Sequence, residues 1–277
     1  MSNTYCEFWK LRYPIGMENS MASPPRAPHL DPVGKLASTC PGQVVWTSPN
    51  RQSALFRADC FEMMKGIPDN SIDCIWTDPP YFLSNDGMTC VAGRMVSVNK
   101  GSWDKSQGVE QDHQFNLSWL RECYRILKPA GTIWVTGTVH IYLSVGMAML
   151  QSGYRILNDI TWEKPNPPPN LGCRCFTHST ETVLWATKAA KGSQYRYTFN
   201  YEEMRQANGG KQMKTVWRMP APSSEEKEFG KHPTQKPIEL VERCLQASTK
   251  PGDIDLPPGF VPRAMLVREP LRSRAWA

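Results

Sequence analysis

The sequence predicts an α/β fold around a mostly parallel sheet, and three observations carry that expectation. Strand-length apolar runs alternate with helical stretches through the middle of the chain, and the connections between them are mostly short and rich in Pro, Gly, Asn or Asp. One run, Ile72 to Thr77, is continuously strand-like and suited to burial on both faces. The composition permits such a fold: of 277 residues, 40% are hydrophobic and 21% charged, which supplies a core and excludes wholesale disorder.

Taken in order, residues 1–50 hold seven prolines and no sustained apolar periodicity, and read as a disordered arm or as sequence added by an upstream start. From Ala54 a short apolar run through Leu55 and Phe56 reaches Asp59; a helical stretch from Cys60 to Lys65 and a Pro68-Asp69-Asn70 turn follow. The strand Ile72 to Thr77 empties into Asp78-Pro79-Pro80-Tyr81. A polar loop then runs to about Phe115, a length that marks a functional or mobile segment.

Helical spacing resumes from about Leu117 to Leu127 and stops at Lys128-Pro129-Ala130-Gly131 before a strand from Thr132 to Thr136. A helix from about Ile141 to Gln151 and strands from Tyr154 to Trp162 and Glu181 to Thr187 come next. Residues 165–169 form a proline-rich surface connection. Residues 189–230 are polar, basic in places and poorly periodic, and look like an insertion outside the sheet. A last amphipathic helix spans Ile238 to Ser248, and beyond Asp253 the chain reads as Pro/Arg-rich and structureless.

No stretch approaches the roughly 18 apolar residues of a membrane helix, and no secretory signal pattern opens the chain, so a soluble cytoplasmic protein is expected. The nine cysteines are scattered, and the one close pair, Cys173 and Cys175, is too tight for the usual zinc spacings, so reduced thiols and no metal are expected. A net charge of +6 permits attraction to nucleic acid without requiring it. Residues 51–250 carry 24 of the 32 basic and 20 of the 26 acidic residues, so most of the excess lies in the globular part.

Ligands of open parallel sheets sit at the carboxyl ends of the strands, where Asp78 to Tyr81 falls. The exocyclic amine of a nucleobase is a poor nucleophile because its lone pair is delocalised into the ring. A carboxylate and a fixed backbone carbonyl can accept its two N–H bonds, which lets the nitrogen pyramidalise toward an electrophile. Pro79 and Pro80 fix such a carbonyl, and Tyr81 offers a face for stacking. On these four residues alone, a plain turn after a strand is the alternative.

DPPYFLSNDG after the strand, HSTETVLWA in the later strand and GKHPTQKP before the last helix together resemble the β-ordered amino methyltransferases of DNA, from about Ala54 to Gly252. The resemblance implies a Rossmann-like methyltransferase sheet, S-adenosylmethionine as cofactor and DNA as partner. A DPPY motif favours adenine-N6 over cytosine-N4 chemistry. Asp78, Pro79, Pro80 and Tyr81 would form the catalytic turn, with Tyr81 stacked on an extruded base. Asp59 and Cys60 would meet the cofactor adenine, although Asp59 is equally a helix cap. His232, Pro233, Thr234, Gln235 and Lys236 would bring the positive end of the last helix to the methionine carboxylate, with Asp78 close to the cofactor.

The DNA contacts expected are Lys100, Trp103 and Lys105 in the long loop and Lys211, Lys214, Trp217 and Arg218 in the insertion, although both clusters could be solvated charge runs. The implied layout is an arm at 1–50, a catalytic domain at 51–252 with its recognition insertion at 189–230, and a disordered tail at 253–277. At finer grain, FLSNDG, VSVNKGSWDK, CRCFTHSTETVLWA and GKQMKTVW look most like the second adenine methyltransferase of GATC restriction systems. That implies a prokaryotic, DNA-associated protein, for which a homodimer stays open.

The resemblance breaks at Asp253. The family continues into a strand and a glycine-rich loop of the form D-P-F-x-G-S-G, whereas this chain reads Ile254-Asp255-Leu256-Pro257-Pro258-Gly259-Phe260. A frameshift or mistranslated end would produce such a change. The expected consequence is an incomplete sheet with a gap about 10 Å wide where the first two cofactor-side strands belong. Lower stability and weak or absent cofactor binding would follow. A cytosine-N4 enzyme, an RNA or protein amide methyltransferase and a non-catalytic DNA-binding remnant are the alternative readings.

Overall fold

A computed structural model describes residues 40–48, 53–84, 88–91, 94–97, 102–188, 197–227, 234–256 and 265–268. In chain order the elements are β1 (Gln43–Thr47), β2 (Ser53–Arg57), α1 (Cys60–Lys65), β3 (Ile72–Thr77), β4 (Met88–Val91), β5 (Arg94–Ser97), α2 (Val109–Ile126) and β6 (Leu127–Gly137). There follow α3 (Tyr142–Ser152), β7 (Tyr154–Glu163), β8 (Thr180–Lys188), α4 (Tyr201–Ala207), β9 (Val216–Arg218), α5 (Ile238–Ser248), β10 (Asp255–Leu256) and β11 (Met265–Arg268).

Nine strands form one sheet in the order β1-β2-β11-β10-β3-β6-β8-β7-β9, and β4 and β5 pair as a separate hairpin. The expected parallel character holds for strand direction: six strands point one way, and β1, β8 and β11 oppose them. Because β8 returns between β6 and β7 and β11 between β2 and β10, antiparallel neighbours outnumber parallel ones.

Side chains that alternate along the central strands feed two cores. Ile72 and Ile75 of β3, Ile133 and Val135 of β6, and Leu184 and Ala186 of β8 pack on one face with α1, α2 and α3. Cys74, Trp76, Trp134, Val183 and Trp185 point to the other face, against Met204 of α4 and Leu240, Cys244 and Ala247 of α5. Trp134 and Trp185 sit opposite each other in the β6–β8 ladder and stack with centroids 4.7 Å apart. Gly131 is required where β6 meets β3, since a Cβ there would lie 2.9 Å from the Lys128 carbonyl oxygen and 3.0 Å from that of Asp73.

Several elements differ from the sequence expectation. Part of the presumed N-terminal arm is β1, which pairs with β2 through a bulge; residues 1–39 lie outside the described residues. Helix α2 starts eight residues before Leu117, because its first turns are polar and exposed and are fixed by Asp112, which accepts hydrogen bonds from the Ser106 hydroxyl and the Gln107 amide. The insertion is not wholly outside the sheet, since β9 extends it beyond β7.

The presumed gap and structureless tail give way to two short strands. β10 runs parallel to β3, and β11 pairs with both β10 and β2, so both vacant places in the sheet are filled. Residues 257–264 and 269–277 lie outside the described residues. Asp73 fastens this end: its carboxylate accepts the Ile254 amide at 2.8 Å and the Lys128 ammonium at 2.7 Å, while its own amide donates to the Ile254 carbonyl at 2.8 Å. Asp73→Ala leaves the Ile254 N–H without that acceptor, and we expect a loss of about 1–3 kcal/mol in urea unfolding. Faster amide exchange in β10 than in β6 should accompany it; unchanged β10 protection would contradict this anchoring.

Candidate active site

Strand β3 ends at Thr77 and delivers Asp78-Pro79-Pro80-Tyr81 to the carboxyl edge of the sheet. The two Asp78 oxygens are held separately: Oδ1 accepts the Thr136 hydroxyl of β6 at 2.5 Å, and Oδ2 accepts the Lys236 ammonium at 2.7 Å. Each carboxylate oxygen retains a further lone pair for a substrate N–H. The Pro79 carbonyl accepts no hydrogen bond among the described residues, so it is free to accept another.

Lys236, whose side chain is only 7% exposed, also lies 3.8 Å from Glu181 Oε2 and sits over the Tyr81 ring, 5.1 Å from its centroid. Glu181 of β8 accepts the Tyr81 hydroxyl at 3.1 Å and pairs through its other oxygen with Lys164. Burial opposes the Lys236 charge, but Asp78 and Glu181 outweigh it and raise its pKa above the ordinary lysine value. Burial likewise opposes ionisation of Glu181, and Lys236 and Lys164 reverse the balance and lower its pKa. Tyr81 is pushed well above the ordinary phenol value by burial, reinforced by Asp78 and Glu181, and stays a neutral donor.

A second carboxylate shapes the turn. Fully buried Asp104 accepts the amides of Tyr81 at 3.0 Å, Phe82 at 2.9 Å and Leu83 at 3.3 Å, and the Ser84 hydroxyl at 2.8 Å. These charge-assisted bonds hold Phe82 at φ +55°, a conformation unfavourable for a bulky side chain. Trp103, half-buried, and Lys105, exposed, flank this anchor; Lys100 lies outside the described residues.

The remaining expected residues divide. Asp59 ends the β2 connection as an N-cap: its Oδ1 accepts the Phe61 and Glu62 amides, while Oδ2 takes no hydrogen bond among the described residues. Cap and cofactor acceptor are therefore compatible. Cys60 is buried in the α1–α2 core, where burial pushes its thiol up to about 12, so its side chain cannot cover a cofactor ring and only its backbone remains available.

His232 and Pro233 lie outside the described residues. The Thr234 carbonyl accepts from Lys236, and the Gln235 amide donates to the Glu226 carbonyl. Contrary to expectation, the entrance of α5 is already capped: the Ile238 amide donates to Glu226 Oε2 at 2.9 Å, placing a carboxylate at the positive helix end. That amide is therefore not free to meet a ligand carboxylate. Lys211, Lys214 and Arg218 are exposed, but Trp217 is 6% exposed, donates to the Lys214 carbonyl and packs under Arg243. Its indole is part of the core and, contrary to expectation, offers no exposed face to DNA.

Thr136, Glu181, Asp104 and Lys164 went unassigned in the sequence. Glu181 had a legible signal, a carboxylate within the otherwise apolar run of β8; Asp104 had none, because its partners lie about twenty residues away across the loop.

Glu181→Gln keeps a possible acceptor for Tyr81 but removes the counter-charge of Lys164 and one of two for Lys236. Breaking such a buried pair should lower stability by about 3 kcal/mol at neutral pH. The wild-type contribution is present above the ordinary glutamate pKa and is lost as pH falls through the lowered folded value. The difference between the two proteins should therefore shrink below about pH 4, as followed by urea unfolding across pH. A difference that persists undiminished in acid would contradict the ionic role.

A family model described as DNA methylase, of the N6/N4 type, matches residues 72–256. The chain is 51% identical over 220 residues to the Type II methyltransferase M2.LlaDCHI of Lactococcus lactis subsp. cremoris and 49% identical to M2.DpnII of Streptococcus pneumoniae. Both alignments cover 78% of this chain and 81% of the relative. M2.MboI of Moraxella bovis is 46% identical, with 76% of each chain covered. Among solved structures, the cytosine-N4-specific PvuII DNA methyltransferase shares the fold at TM-score 0.54 and 17% identity, covering 73% of this chain and 72% of that one. The M1.HpyAVI–SAM complex does so at 0.51 and 24%, covering 73% and 80%. With more than half its length matched by the family model, and with such relatives, this chain belongs to the N6/N4 DNA methylase family.

Proposed function

We propose that this protein is a site-specific DNA methyltransferase of a Type II restriction–modification system, methylating the N6 amine of adenine with S-adenosylmethionine as donor. GATC is the target sequence that the resemblance to the second adenine methyltransferases suggests. The observation that carries the reading is Asp78, held at the strand end by Thr136 and Lys236 beside a Pro79 carbonyl that accepts no hydrogen bond among the described residues. Similarity to three Type II methyltransferases supports it.

The residues present fit the cofactor at two ends. Asp59 Oδ2 is open at the carboxyl end of β2, and Asp78 and Lys236 lie at the carboxyl end of β3, three strand steps or roughly 14 Å across the sheet. Asp59 and the Cys60 backbone would hold the adenine moiety. Lys236, with Thr234, Gln235, His232 and Pro233, would hold the carboxylate end. When bound, S-adenosylmethionine supplies an electrophilic methyl group on a sulfonium sulfur.

The protein's own task is to prepare the acceptor. Asp78 and the Pro79 carbonyl accept the two N–H bonds of the target amine, drawing its lone pair out of conjugation and aiming it along the transfer line. Once methylated, the amine would carry a positive charge and have one proton to lose, and Asp78, already accepting one of its N–H bonds, would be the carboxylate placed to take it. Tyr81 is only 7% exposed and carries the Lys236 ammonium on one face of its ring, so a base stacking on that face would displace the ammonium. Lys236 thus stabilises Asp78 before substrate arrives and yields the Tyr81 face when it does.

The test is methyl transfer from tritiated S-adenosylmethionine to GATC-containing DNA, with RNA and protein acceptors alongside. The expected product is N6-methyladenine, and Asp78→Ala should lower the rate by roughly 100- to 1000-fold. N4-methylcytosine as the sole product would overturn the base assignment; DNA binding without transfer would favour the non-catalytic reading.

A further inference from the structure

Between β7 and β8 the chain makes an excursion over residues 164–179, at the carboxyl end of β7 and therefore on the same edge of the sheet as Asp78. It is tied to the site on both sides. At its base the Lys164 amide donates to the Ser179 carbonyl at 2.7 Å, and the Lys164 ammonium pairs with Glu181, the residue that holds Tyr81. At its return His178 lies 6.4 Å, ring to ring, from His140, just beyond the strand whose Thr136 holds Asp78.

This excursion is built to keep its shape. Pro165, Pro167, Pro168 and Pro169 restrict the outgoing limb. The Asn170 side chain then accepts the Gly172 amide at 3.0 Å and donates to the Cys175 carbonyl at 2.8 Å. Residues 171–178 are all exposed, and Phe176 stands out at 96% exposure. From Lys164 to Thr180 there is no Asp or Glu, while the exposed Arg174 carries positive charge and His178 offers ring N–H donors. Phe176 is five residues from Glu181, so its Cα lies within about 18 Å of that of Glu181.

We propose that Phe176 is a wedge that enters the base stack of duplex DNA and fills the space vacated when the target adenine swings toward Tyr81, with Arg174 and His178 on the flanking phosphates. The inference rests on the reading of the chain as a base-extruding DNA methyltransferase. Extrusion leaves a gap in the stack whose cost an apolar plug offsets. A planar side chain on a braced, carboxylate-free loop beside the site has the chemistry for that role, and the duplex is the partner its charge selects.

The experiment uses a GATC duplex with 2-aminopurine at the target position, whose fluorescence rises on unstacking, bound at saturation by the full chain. The wild type should raise the signal, Phe176→Trp should retain the rise, and Phe176→Ala should reduce it roughly tenfold. On a companion duplex whose target faces an abasic site, the Phe176→Ala signal should stay within about twofold of the wild type, because no base pair has to be broken and extrusion needs less help.

An undiminished rise with Phe176→Ala, an equal loss on both duplexes, or no rise with the wild type would each overturn the wedge. Methyl transfer by the wild type is scored separately. Its absence counts against the enzymatic reading, whereas the fluorescence comparison still decides the role of Phe176.

Discussion

The Lys236 ammonium, withdrawn from water between Asp78 and Glu181, is the contact on which the site's arrangement turns. An isolated cation would not tolerate that position; it is stable there because two carboxylates face it. Three separate parts of the chain consequently meet at one point: the end of β3, the start of β8 and the entrance of α5. The neutral groups follow from that charge arrangement. Thr136 takes the Asp78 oxygen that Lys236 leaves, and Tyr81 donates to Glu181. Asp104 performs the corresponding task for the backbone, gathering the amides that make the turn.

This arrangement gives the site two distinct kinds of rigidity. The backbone of the turn is fixed by Asp104 and by two prolines, and nothing about it needs to change during a reaction. The side-chain charges are mutually compensating, so each partner can exchange one neighbour for another without being stranded. Asp78 can take another donor in place of Lys236 while keeping Thr136, and Lys236 can face another anion while keeping Glu181. A preformed frame with exchangeable ionic partners is suited to a reaction in which a base must enter and leave.

Much of this was legible in the sequence. Strands β2, β3, β6, β7 and β8 and helices α1, α3 and α5 follow from apolar runs and periodicity, and Asp78 to Tyr81 follows from a carboxylate and two prolines at a strand end. What escaped notice has physical causes. The first turns of α2 carry no apolar stripe because they face solvent. β9 is three residues long, and β10 two. The role of Asp104 depends on a loop folding back on itself. Trp217 misled because a tryptophan among cations is equally suited to stack on a base or to lie beneath Arg243 in a core. The helix end of α5 misled because Glu226, twelve residues upstream, supplies the anion.

The closing of the sheet by β11 has a consequence for how the protein comes into being. Residues 265–268 pair with residues 53–56, joining segments more than two hundred positions apart. Contacts of that separation form late, because the entropy of closing the intervening chain is lost before they return anything. During synthesis β2 emerges long before its neighbour exists, and one of its edges stays unpaired until nearly the whole described chain has been made. An apolar strand waiting in that state is open to pairing with other chains. Helix α1 and the turns after it thus mature beside a vacancy, and the cofactor-side half of the sheet is the last part of the molecule to become a single body.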